Sequence, residues 1–168
     1  MKFRGSNRPS IHIGLVVRNG ERHIADAIRS WRAQTRTDWR LVVYDNASTD
    51  DTAAIIEEFA RRDPRIRLVR HAENIGMTGN FRYALAHAES PLFCWSAADD
   101  LREPMFLERM MERLAEDGGL IMSASAARCI APDGAARGVV ERDEHALGGL
   151  SSDDAILRVR TLLREPAY

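Results

Sequence analysis

Leu41-Val42-Val43-Tyr44-Asp45-Asn46-Ala47-Ser48-Thr49-Asp50 decides how the rest of this chain is read. Its first four residues form an unbroken apolar and aromatic run, as expected of a strand buried on both faces of a parallel sheet. The run stops at a polar segment. There Ser48, Thr49 or Asp50 can accept hydrogen bonds from the free N–H groups of a helix's first turn. A helix is therefore expected over residues 51–62, with Ala54, Ile55, Glu58 and Phe59 in register, until Asp63-Pro64 ends it.

The alternation continues on either side. Residues 11–17 are β-prone and end at the turn signal Arg18-Asn19-Gly20. Residues 21–33 place Ile24, Ala27, Ile28 and Trp31 at helical spacing. Further strands are expected at 66–69, 92–96 and 120–125, and further helices at 76–88 and 105–115. Asp133-Gly134 between residues 128–130 and 138–140 predicts a hairpin, and residues 151–163 a last helix. Strands separated by helices argue for an α/β fold, a mostly parallel sheet flanked by helices. Residues 1–10 read as a flexible lead-in and 11–168 as one domain.

Composition excludes several functions. The 168 residues are 45% apolar and 29% charged, a globular profile. With 24 basic against 25 acidic residues the net charge is -1, so no general basic field invites nucleic acid or anionic lipid. No apolar run approaches the about 18–20 residues of a membrane-spanning helix. The first ten residues lack the apolar stretch of a signal peptide, so a cytoplasmic location is expected. Cys94 and Cys129 sit in apolar segments and read as buried free thiols.

Ligands of open parallel sheets bind outside the carboxyl ends of the strands, so the residues that follow each strand carry the chemistry. Asp45 is a carboxylate at the lip of a buried strand, able to accept N–H bonds from a nucleobase edge. Asp99-Asp100 follows the fourth strand; paired acids there need solvent, a partner or a cation, and suit Mg²⁺ or Mn²⁺ bridging phosphates. Asn74-Ile75-Gly76-Met77-Thr78-Gly79-Asn80 leads into a helix, whose N-terminus and glycines suit phosphate as well as an ordinary turn. No G-x-G-x-x-G follows the first strand and no Walker pattern occurs. The histidines His12, His71, His87 and His145 read as surface or satisfied core residues. Trp31, Trp39 and Trp95 read as packing residues, and Arg61-Arg62 with Arg65, Arg67 and Arg70 as a solvated face. A phosphoacceptor role for Asp45 in a receiver-like domain is rejected. That fold needs acids after strand one and a late lysine, and the one lysine is Lys2.

Together these segments resemble the family 2 glycosyltransferases of the GT-A fold, over roughly residues 11–115. The segment 43–50 is similar to that family's D-D-G-S-T-D motif in its D-N-A-S-T-D form. Asn74-Ile75-Gly76 and residues 80–85 match the segment before its metal motif, and residues 93–100 stand where the family places D-x-D. The first acid of that motif is Ala97 here, and Val16-Val17-Arg18 replaces the common Pro-Thr-Tyr.

The resemblance implies a Rossmann-like GT-A sheet and inverting transfer from a nucleotide-diphospho-sugar, a UDP-sugar first among candidates. It implies donor contacts from Val17, Asn19, Asp45, Asn74, Gly76, Asn80, Asp99 and Asp100, with Mn²⁺ or Mg²⁺ on Asp99 and Asp100. The catalytic base is expected beyond Tyr168, since Asp143 and Glu144 come too early, which makes the chain short at its C-terminal, acceptor-binding half. The acceptor stays open among glycan, lipid and protein, as do homo-oligomerisation and peripheral attachment at the inner membrane. The alternative is a non-catalytic nucleotide-sugar-binding or interaction module on the same fold.

Overall fold

β1 (Ile11–Val17) and β2 (Trp39–Asp45) run parallel at the centre of a four-stranded sheet, in register from Ile11 beside Trp39 to Val17 beside Asp45. The computed structural model describes residues 11–116, 122, 123, 125, 127–131 and 135–140. β3 (Ile66–Arg70) pairs with the outer side of β2 and β4 (Leu92–Ala97) with the free side of β1, giving the all-parallel order β3-β2-β1-β4. Parallel neighbours require crossover connections. These are α1 (Ile24–Arg32), α2 (Thr52–Arg62) and α3 (Met77–Ala86), and α4 (Phe106–Glu116) follows β4. The chain has the expected α/β fold.

The register sorts the side chains into two layers. Ile13, Leu15, Leu41 and Val43 are wholly buried on one face. There Ile24, Ala27, Ile28 and Trp31 of α1 pack down, and the Trp31 indole N–H donates to Ser96 Oγ at 3.1 Å. On the other face Val16, Val42 and Tyr44 cluster with Ala84 of α3, ringed by Val69, Phe81, Tyr83 and Phe93. Gly14 belongs to this face because a Cβ there would lie 2.7 Å from the Phe93 ring. Each fully buried side chain of Leu or Ile size stabilises the fold by about 1.5–3 kcal/mol.

His12 is a satisfied core histidine. Its Nδ1 accepts the Glu89 N–H at 3.2 Å, so Nε2 carries the proton, 3.2 Å from the Tyr44 hydroxyl. Burial lowers its pKa below the usual value; Glu89 opposes the shift and Arg40 and Arg67 add to it.

Several expectations need correction. In α2 the buried residues are Thr52, Ala53 and Ile56, whereas Ala54 and Glu58 face solvent. The helix packs against β2, β3 and α1, and this sets a phase one residue from the expected one. Trp95 is 42% exposed, being on the edge strand of the described sheet, and Cys129 is exposed. The arginines are not a simple solvated face. Arg65 holds the buried Asp63 at 2.8 Å and lies 3.9 Å over the Trp39 ring. Met122, Ser123 and Ser125 are outside any strand, and the rest of the strand expected at 120–125 falls outside the described residues. So do residues 1–10, Asp133-Gly134, Asp143, Glu144, His145 and the helix expected at 151–163.

The chain divides between Glu108 and Arg109 into two compact units. The second contains the expected hairpin, β5 (Ala127–Ile130) antiparallel to β6 (Ala136–Val140), with Arg128 beside Val139.

The lowered His12 pKa makes a prediction. The unfolded chain binds a proton at about pH 6.5 that the folded chain resists, so stability falls as pH drops below that value. Asp63, held below the carboxylate range by its hydrogen bond to Arg65, contributes stability that is lost only in stronger acid. Tm should therefore fall between pH 7.5 and pH 5.5, and His12→Gln should flatten that fall. Equal slopes in the two proteins would contradict the assignment.

Candidate functional site

The direction of strand order reverses between β1 and β4, and crevices of this kind hold ligands. Four loops meet the carboxyl edge of the sheet: residues 18–21, 46–51, 71–76 and 98–101. Three of them are joined by side chains.

The first junction is a turn closed by Asp45 and Ser48. Asp45 is fully buried; its Oδ1 accepts the Ser48 N–H at 3.0 Å and the Ser48 hydroxyl. The tight turn puts Ala47 at φ 57, a left-handed conformation that costs an L-residue about 1–2 kcal/mol. Ser48 Oγ in turn accepts the Asn19 N–H at 2.9 Å, and Asn19 Oδ1 accepts the Thr49 N–H at 2.9 Å. Next in line, the Gly20 N–H reaches Thr52 Oγ1 at 2.8 Å.

Of the three residues expected to accept a first-turn N–H of α2, Asp50 does so, its Oδ1 taking the Thr52 N–H at 3.1 Å while Oδ2 takes the Glu21 N–H at 3.2 Å; the N-cap position itself is Asp51, whose side chain caps nothing. Burial opposes the ionisation of Asp50, but hydrogen bonds from the Thr52 hydroxyl and these amides hold its carboxyl below the usual range.

Asn46 makes the second junction. Its Nδ2 donates to Asn74 Oδ1 at 2.7 Å and to the Gly76 carbonyl at 3.2 Å, and its Oδ1 accepts the Ile75 N–H at 2.9 Å. Its own N–H returns to the Val17 carbonyl at 2.9 Å. Asn80 secures α3 from below by donating to the Tyr44 carbonyl at 2.8 Å, with His71 Nε2 3.0 Å from its Oδ1.

Arg70 makes the third. It ends β3 directly beside Asp45 in the register. Its Nη2 donates to the Ser48 carbonyl at 2.7 Å, and its Nε lies 3.2 Å from Asp45 Oδ2. That approach is outside hydrogen-bonding geometry, so Oδ2 is buried and has no hydrogen bond among the described residues.

At the end of β4, Asp99 is exposed and makes no hydrogen bond or ion pair among the described residues. Asp100 Oδ2 pairs with Arg102 at 3.2 Å, whose guanidinium lies over Trp31 and Phe106. This loop approaches the first at Gly20, where an added Cβ would be 3.4 Å from that of Ala98. No three potential ligands cluster around a cation site among the described residues. One or two carboxylates are nevertheless what Mg²⁺ or Mn²⁺ uses when substrate phosphates complete its shell, so Asp99 and Asp100 fit a cation that arrives with a diphosphate.

The residues expected from the sequence thus fall into two groups. Asn19, Asp45, Asn74, Gly76 and Asn80 are brought together by hydrogen bonds, and Val17 joins through its carbonyl. Asp99 and Asp100 share the edge but are not hydrogen-bonded to that cluster among the described residues. Sequence reasoning missed Arg70, Ser48 as the partner of Asp45, and Asn46 as a clamp. For Arg70 the available signal was its place at the end of the strand beside β2.

The family model for Glycosyl transferase family 2 matches residues 13–142. The chain belongs to glycosyltransferase family 2. Among relatives of this family 2 chain, EpsE of Bacillus subtilis (strain 168), which carries a glycosyltransferase name, is 30% identical over 61% of this chain and 37% of its own length. TuaG of the same organism, named as a teichuronic acid biosynthesis glycosyltransferase, is 26% identical over 89% of this chain and 58% of its own. The chain therefore spans a third to three-fifths of the length of these two relatives.

Two solved structures share the fold. S. aureus TarS 1-349 in complex with UDP superimposes with a TM-score of 0.59 at 22% identity, covering 63% of this chain and 32% of TarS 1-349. The mannosyltransferase PcManGT of Pyrobaculum calidifontis, in complex with GDP-Man and Mn²⁺, gives 0.61 at 25% identity, covering 74% and 36%.

Two substitutions test the loop cluster. Asn46→Ala leaves the Ile75 N–H without its acceptor and removes a donor from the Gly76 carbonyl, while Asn74 Oδ1 keeps the Gly76 N–H, and should cost about 1–3 kcal/mol in urea unfolding. Ala47→Gly relieves the left-handed backbone and, after the extra entropy of glycine, should gain up to about 1 kcal/mol. A neutral Asn46→Ala or a destabilised Ala47→Gly would contradict these geometries.

Proposed function

We propose that this chain is the donor-binding part of a glycosyltransferase that takes a nucleotide-diphospho-sugar, a UDP-sugar first. The observation that carries the reading is the arrangement of two carboxylates at one sheet edge. Asp45 ends β2 and Asp99 follows β4, on opposite sides of β1. That spacing along the edge suits a long ligand with a base at one end and a diphosphate at the other. The complexes of the two structural neighbours, one with UDP and one with GDP-Man and Mn²⁺, support the same class of donor.

In this reading Asp45 accepts from the base, and the loop after β1, with Val17 and Asn19, walls the same pocket. Asn74, Gly76 and Asn80 set the start of α3, whose first turn has no side-chain cap, so its N–H groups are available to an anion. Asp99, with Asp100 beside it, would hold Mn²⁺ or Mg²⁺, which offsets negative charge on the departing nucleotide. Transfer is inverting, by a single displacement in which the acceptor hydroxyl attacks the anomeric carbon from the face opposite the leaving group. The base that takes the hydroxyl proton is assigned to none of the described residues.

Among the described residues no helix is long and apolar enough to cross a membrane. A nucleotide-sugar donor places the work on the cytoplasmic side, free or peripheral to the inner membrane. The acceptor is a glycan, lipid or protein hydroxyl.

Calorimetric titration with UDP and UDP-sugars, with and without Mn²⁺, tests the reading. Wild type should bind in a Mn²⁺-dependent way, and Asp99→Asn should lose about tenfold or more of the Mn²⁺-dependent affinity. Failure of the folded wild type to bind any nucleoside diphosphate would overturn it. Binding without sugar transfer to any acceptor would favour a non-catalytic module instead.

A further inference from the structure

Arg102 stands beside the acidic pair after β4 and has no part in the donor contacts proposed above. Its place is fixed from several sides. The guanidinium lies 5.7 Å from the ring centre of the fully buried Trp31 and 5.4 Å from that of Phe106. Its Nη1 donates to the Leu101 carbonyl at 3.1 Å, and the side chain is only 19% exposed. The residues after it are stapled to the end of α1. Gln34 Nε2 donates to the Glu103 carbonyl at 2.8 Å, Gln34 Oε1 accepts the Leu107 N–H at 3.0 Å, and the Thr35 N–H reaches the Pro104 carbonyl at 2.9 Å. Arg102 is thus a cation built into the framework.

The loop before it is held lightly. The Asp100 N–H reaches the Ala97 carbonyl at 3.4 Å, and Asp100 Oδ2 accepts from Arg102 Nη2 at 3.2 Å. Asp99 is exposed and has neither hydrogen bond nor ion pair among the described residues. The two neighbouring carboxylates therefore differ: one is neutralised by a fixed guanidinium and the other is not.

We infer that Arg102 is a positioning residue that withholds Asp100 from the divalent cation and leaves Asp99 as its carboxylate ligand. This rests on the donor-site reading above and deepens it. A guanidinium and a divalent ion compete for the same carboxylate oxygen, and a fixed positive charge beside the site opposes a second one. A single carboxylate holds Mg²⁺ or Mn²⁺ weakly unless substrate phosphates complete the shell. Arg102 thereby keeps the site weak for the bare ion, acting through Asp100.

The experiment compares UDP affinity with and without Mn²⁺, by calorimetry on the folded chain at about 0.15 M salt. Arg102→Met keeps an apolar stem on the two rings and removes the charge. It should raise the Mn²⁺-dependent gain in UDP affinity by about tenfold. Arg102→Lys, which keeps the charge, should stay near wild type. In an Asp100→Asn background Arg102→Met should raise the gain by under about threefold, because the carboxylate it releases is no longer there. A purely structural role for Arg102 predicts the opposite sign, a gain lowered by a loosened loop.

A second measurement needs no variant, so it decides the matter even if Arg102→Met folds poorly. In the carboxyl-carbon NMR spectrum of the UDP-saturated wild type, adding Mg²⁺ should move the Asp99 signal and leave that of Asp100 in place. An unchanged or lowered gain in Arg102→Met, an equal gain in the Asp100→Asn background, or an Asp100 signal that moves as far as that of Asp99 overturns the inference while leaving the donor site standing. UDP binding indifferent to Mn²⁺ in every variant overturns the cation role and this inference, and leaves the base end standing. Binding of no nucleoside diphosphate overturns the donor-site reading and this inference with it.

Discussion

The contact between the Asp45 carboxylate and Ser48 is the constraint on which the rest of the edge depends. It bends the chain sharply as β2 ends, and it holds Ala47 in a conformation that an L-residue adopts only under compulsion. From the bent loop Ser48 reaches back to Asn19 after β1, and Asn46 reaches forward to Asn74 and Gly76 before α3. One turn of four residues therefore organises three loops.

These bonds are formed largely by buried or half-buried groups. Leaving one unmade costs more than its net contribution when formed, because the group is not returned to water. The edge is consequently a shaped surface before any ligand arrives. What it leaves open is a buried oxygen on Asp45 and an exposed carboxylate on Asp99. In the proposed donor site the first would take a neutral N–H donor and the second a cation.

Much of the fold was legible from residue pattern. β1 was expected at the residues it occupies, and the α1 face of Ile24, Ala27, Ile28 and Trp31 is buried as its spacing required. The α2 face was misread because Thr52 and Ala53 are small and weakly marked. Only packing against β2, β3 and α1 chooses between two adjacent phases. At the site, residue type located the right loops but did not distinguish a ligand contact from a clamp. Asn19, Asn46 and Asn80 can donate and accept in either capacity, and their partners lie 28 to 36 residues away. Arg70 looked like one of a row of solvated arginines. Its contact with Asp45 depends on the register of β2 with β3, which composition does not encode.

The most direct test of the account is an amide NMR spectrum of the chain recorded with UDP and Mg²⁺, then with Mn²⁺ replacing Mg²⁺. Nucleotide-induced shifts are expected in residues 17–20, 45–49 and 70–76, and paramagnetic broadening centred on residues 97–102. Shifts confined to other surfaces, such as the groove between α1 and α2 around Phe59, would contradict it, as would broadening centred away from Asp99.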